Sequence, residues 1–85
     1  MLSENQMQTY QLTLIIDYQG DDFEAVVERC YPEFSDGTVC TRDGVHYIVL
    51  DREAISLDAA CKSALASAKT VGISVSYIQI HPKHI

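Results

Sequence analysis

Three histidines, three cysteines and one charged triplet are the residues of this 85-residue chain whose types could do chemistry. His81 and His84 are spaced like metal ligands, but no further ligand stands beside them, so they read as a solvated chain end. His46 follows an Asp43-Gly44 turn and reads as an exposed strand residue. Cys30, Cys40 and Cys61 are odd in number, lie far apart and form no C-x-x-C, which argues against a disulfide framework and a zinc knuckle. Cys30 and Cys61 fall on inward helical stripes and read as reduced core thiols. No Ser-His-Asp or Cys-His set assembles. The expectation is a non-enzymatic chain with no catalytic, metal or cofactor site.

The triplet Asp51-Arg52-Glu53 ends an apolar run and precedes a small-residue helix pattern. It reads first as a solvated connection between strand and helix. The competing reading makes Arg52 the rim of a protein contact, where arginine is favoured.

The elements that must position these residues follow from periodicity. Tyr10 to Asp17 alternates, with Leu12, Leu14 and Ile16 on one face. Asp21-Asp22-Phe23-Glu24 looks like a cap with a reciprocal Glu. Phe23, Val26, Val27 and Cys30 then form a stripe, and Pro32 is expected to stop the helix. Thr38 to Arg42 and Val45 to Asp51 are strands joined by Asp43-Gly44, a strong hairpin signal, and the second strand is expected to end at Leu50. Ser56 suits an N-cap, Leu57, Ala60, Cys61, Ala64, Leu65 and Ala68 make a narrow stripe, and Gly72 is the natural stop. Ile73 to Ile80 is the last strand.

The order β-α-β-β-α-β predicts an α+β ferredoxin-like plait. Its four-stranded antiparallel sheet has the expected order 4-1-3-2, with both helices on one face. Residues 10–80 form the single domain, between tails at 1–9 and 81–85. Both parities of the third strand are apolar, and Ile15, Ile78 and Ile80 add to the surplus. Two helices cover one face, so the other is expected to need a cover. The candidate contacts are Ile15, Tyr47, Val49, Ile78 and Ile80, with Arg52 at the rim.

Charge narrows the functions. Twelve acids against six Lys plus Arg give a formal charge of −6, which argues against direct nucleic-acid binding. No stretch approaches a membrane span, and the N-terminus lacks the pattern of a secretion signal, so the expected location is the cytoplasm. The turn Asp17 to Asp22 holds no cation, which excludes acyl-phosphate hydrolysis, and no paired cysteines for a metal cluster. The sheet lacks the cations that RNA binding requires.

Three stretches, "YQLTLIID", "DGVHYIVLDREAISLDAACKSAL" and "GISVSYIQIHP", resemble the N-terminal domain of small bacterial helix-turn-helix regulators of the DNA-binding or excisionase-like kind. The likeness runs from Tyr10 to Pro82. Its most specific element is Asp51-Arg52-Glu53-Ala54, then Ser56-Leu57 and the helix holding Ser63-Ala64. In that family a helix-turn-helix module follows, whereas here the sequence reads His81-Pro82-Lys83-His84-Ile85. The resemblance therefore implies an accessory role: dimerisation, sensing or partner binding. No DNA-contacting residue carries over. Two other roles compete with a regulatory interaction domain. One is an acidic inhibitor from a phage or mobile element that binds a nucleic-acid-processing complex. The other is a small-ligand sensor using Gly20, where a backbone can be approached closely.

Overall fold

The computed structural model describes residues 7–81. These run β1 (Gln8–Asp17), α1 (Phe23–Glu33), β2 (Gly37–Arg42), β3 (Val45–Ala54), α2 (Leu57–Val71) and β4 (Ser74–Ile80). The strands form one antiparallel sheet of order β2-β3-β1-β4, the expected order read from the other edge. The chain is α+β, and the arrangement fits a ferredoxin-like plait. Of the tails expected at 1–9 and 81–85, residues 1–6 and 82–85 lie outside the described residues. Gln8 and Thr9 belong to β1, where they pair with Ala54 and Glu53.

Alternation along the central strands builds the core. Leu12, Leu14 and Ile16 of β1 and Ile48, Leu50 and Ala54 of β3 are buried on the helix side. Above them lie Val26, Cys30 and Phe34 from α1 and its C-cap, and Ala60, Ala64, Ala68 and Val71 from α2. Alanine at every fourth position lets α2 lie close to the sheet. Leu65, expected on that stripe, is exposed.

Local signals close each element. Asp43 and Gly44 both take positive φ, as a two-residue hairpin turn demands. Ser56 caps α2 by accepting the Ala59 N–H at 3.1 Å, and Gly72 ends it in the left-handed region. The start of α1 differs from expectation. Asp22 is the cap and accepts from the Ala25 N–H, so Glu24 stands one place too early to reciprocate. The Tyr18 hydroxyl takes that role, accepting the Asp22 N–H at 3.1 Å. Pro32 does not stop α1. Phe34 N–H donates to Cys30 O at 2.8 Å, so the helical ladder continues past the missing donor.

The largest correction concerns β3. It does not end at Leu50 but pairs with β1 as far as Ala54, so the charged triplet lies inside a strand. A second correction concerns β4. Tyr77 stands opposite Ile15 but Val75 stands opposite Ile16, so Ser76 is an extra residue in a bulge. The bulge puts Val75, Ile78 and Ile80 together on the helix side and Tyr77 on the other side.

Gly37 starts β2 against β3. A Cβ there would meet Val49 O at 2.8 Å and Leu50 Cβ at 2.9 Å. We predict that Gly37→Ala forces the hairpin apart and costs about 1–3 kcal/mol in urea unfolding. A variant as stable as wild type would show that β2 has room to move.

Candidate functional site

Two places bring sequence-selected residues together: the helix side around Arg52, and the uncovered sheet face. Strand alternation separates them. Arg52 points toward the helices, while Asp51 and Glu53 point away and are exposed, opposite Gln11 and Thr9.

Arg52 holds a closed network. Its Nε and Nη2 donate to the two Asp36 carboxylate oxygens at 2.8 and 3.0 Å, and Nη1 donates to Ser63 Oγ at 2.9 Å and Ser67 Oγ at 3.3 Å. The guanidinium carbon lies 5.8 Å from the centre of the Phe34 ring. The Arg52 side chain is 12% exposed and that of Asp36 29%. Asp36 is fixed in turn by its carbonyl, which accepts the Asp51 N–H at 3.1 Å. The planar guanidinium thus ties β3, the α1–β2 connection and α2 at one point. It is an internal brace, which corrects the expectation that Arg52 rims the open face.

The uncovered face carries a row that crosses all four strands of the sheet. Cys40 stands opposite Tyr47, Tyr47 opposite Ile15, and Ile15 opposite Tyr77. Val49 lies in the next row, opposite Thr38 and Thr13. Ile15, Tyr47 and Val49 are half-buried and Tyr77 is 55% exposed. Beside the row runs a shallow trough of about 380 Å³ lined by Thr13, Ile15, Arg42, Val45, Tyr47 and Gln79.

Of the residues selected from sequence, Ile15, Tyr47 and Val49 share this face. Ile78 and Ile80 do not, because the bulge aligns them with Leu14 and Leu12 on the helix side. Ile78 packs against the core, while Ile80 remains 49% exposed. Tyr77 and Cys40 join the row through cross-strand register, which no local pattern encodes.

Acids fringe the row: Asp17 at the end of β1, Asp43 in the turn, and Asp51 and Glu53 on the outer side of β3 are exposed, with Arg42 as the nearby cation. His81 is not a free end. Its N–H donates to Gln11 O at 3.2 Å, and its Nε2 lies 2.8 Å from Thr13 Oγ1, which leaves Thr13 only 5% exposed. His84, read with it as part of a solvated chain end, lies outside the described residues. His46 is also not the exposed residue expected. It faces the helix side, stacks on Phe23 at 3.8 Å and lies 2.8 Å from Thr41 Oγ1 through Nδ1. The space beside Gly20 is filled by the Tyr18 ring.

Among the described residues, no group of three or more His, Cys, Asp or Glu could hold a metal ion, and no helix is long and apolar enough to cross a membrane. No protein-family model, curated protein or solved structure matches the chain. The likeness to helix-turn-helix regulators rests on its three stretches alone.

Two predictions follow from the helix side. Arg52→Ala strands a partly buried carboxylate and is expected to cost about 2–3 kcal/mol in urea unfolding, with Arg52→Lys between it and wild type. A loss no larger than that of an exposed alanine substitution would mean that the brace carries no stability. Burial raises the Cys30 thiol above its ordinary value of 9.0, against a smaller lowering by Arg29. The raised value means that its stabilising contribution is complete below that pH and fades as pH climbs above it. Maleimide is therefore expected to label native Cys40 and Cys61 and spare Cys30, with protection lost as the fold weakens at high pH. Equal labelling of all three at neutral pH would contradict the burial.

Proposed function

We propose that this chain is a non-enzymatic protein-interaction domain of a regulatory system, and that its uncovered sheet face is the binding surface. The observation that carries the reading is the row Cys40–Tyr47–Ile15–Tyr77. Helices pack on the opposite face, so nothing in the described chain covers this apolar band. Contiguous apolar surface with a polar border is the usual form of a protein contact. The border is acidic and the chain carries −6, so the fitted partner has an apolar centre and a cationic margin.

The acidic border also favours a narrower second reading, an inhibitor that occupies the basic surface of a nucleic-acid-processing protein. Both readings are consistent with a face that does not itself grip phosphates. The two differ in salt response. An inhibitor held chiefly by charge loses affinity steeply as salt rises, while apolar docking does not.

Capture from source cells with immobilised variants tests the face directly. Tyr47→Ala and Tyr77→Ala are each expected to weaken a captured partner about tenfold or more. Tyr31→Ala, at an exposed position on α1, serves as the control and is expected to bind like wild type. Retention that ignores Tyr47 and Tyr77, or a wild-type chain that retains nothing, overturns the proposal.

A further inference from the structure

The two edges of the sheet are built differently. β2 is six residues long, follows Asp36, ends in Arg42 and leads into Asp43. Charges at both ends and short length are the usual protection of an edge strand. β4 has neither charge nor proline within Ser-Val-Ser-Tyr-Ile-Gln-Ile. The sequence holds no Asp, Glu, Lys or Arg from Thr70 to Pro82. A β-prone, uncharged segment of this length at a sheet edge is a template for another strand.

Backbone geometry shows which groups are offered. His81 N–H points to β1, where it donates to Gln11 O. In an antiparallel ladder the direction alternates, so Gln79 and Tyr77 also turn their backbone groups inward. Ile78 and Ile80 turn theirs outward, and no described strand lies beyond β4.

Side-chain exposure adds an independent observation. Tyr77 is 55% exposed on the open face, and Ile80 is 49% exposed on the helix side. A partner docked on the open face covers Tyr77 and leaves Ile80 in water. A strand laid beside β4 shields both and satisfies the outward N–H and C=O groups.

We propose that β4 pairs antiparallel with β4 of a second copy of this chain, so that one sheet runs through both. Charge selects the second copy. The chain is strongly acidic, yet the charges flanking this edge in sequence are Lys69 and Lys83. Two acidic copies that meet here bring no carboxylate into the shared ladder. The strand is also self-complementary. With the two-fold axis through Gln79, Ile78 stands opposite Ile80 of the second copy, and each such pair exchanges its two outward hydrogen bonds. Tyr77 then faces His81 of the second copy. The two open faces then lie on the same side of the combined sheet, with their Tyr77 rows offset by four residues along the shared edge. This pairing uses the edge and stands without the proposed docking on the open face.

Sedimentation velocity over a wide concentration range, with amide hydrogen exchange on the wild-type chain, tests it. The expected result is a species of twice the 9.5 kDa chain mass, in which the Ile78 and Ile80 amides exchange slowly and become fast on dilution. Ile80→Lys places like charges across the two-fold and is expected to weaken association at least tenfold, while Tyr47→Ala leaves it unchanged. Because Ile80 lies on the helix side, its substitution spares the open face, so the two proposals fail separately. A monomer at every concentration overturns the inference. So does a dimer whose Ile78 and Ile80 amides exchange freely, or one that Ile80→Lys leaves intact.

Discussion

Side-chain alternation along β1 is the constraint on which this molecule depends. β1 is central, paired with β3 on one side and β4 on the other. Leu12, Leu14 and Ile16 go under the helices, and burial of side chains this large stabilises by roughly 1.5–3 kcal/mol each. Thr13 and Ile15 must then point the other way. The core and the uncovered row are therefore two products of one strand. A register slip of one residue would exchange them, so the buried leucines also fix what the open face presents.

Helix packing adds a second level. Ala60, Ala64 and Ala68 bring α2 near the sheet and leave room beside it for a long polar side chain. Arg52 fills that room. Four of its five N–H donors find two carboxylate oxygens and two hydroxyls, and the Asp36 carboxylate balances its charge. The same contact holds the α1–β2 connection against β3, which sets where the hairpin begins. A residue resembling a surface contact in sequence thus belongs to the scaffold.

The surface divides by charge. Acids lie around the open face, at the turn and on the outer side of β3. β4 is neutral and has lysines on either side in sequence. The face is suited to a cationic margin on a partner, and the edge to a strand that brings no charge of its own. These surfaces use separate parts of one strand. Tyr77 contributes its ring to the face, while Ile78 and Ile80 contribute their outward backbone to the edge.

Local signals determined much of the architecture. Asp43-Gly44, Ser56 and Gly72 act within a few residues, and the periods of β1 and α2 act within one element. Such features are legible because their causes are covalent neighbours. The α+β class and strand order followed from them. Tertiary structure alone decided the faces of β4, the destination of Arg52 and the company of His46. Parity counted along the chain cannot reveal the bulge at Ser76, which exists only because β4 is paired with β1. Asp36 and Arg52 are sixteen positions apart, and nothing between them encodes that they meet. Tyr18 replaces Glu24 at the α1 cap for the same reason: the turn folds its ring back over Gly20. Periodicity fixes which residues share a face only while an element stays regular; pairing between elements decides where it breaks, as in β4, and which face is covered.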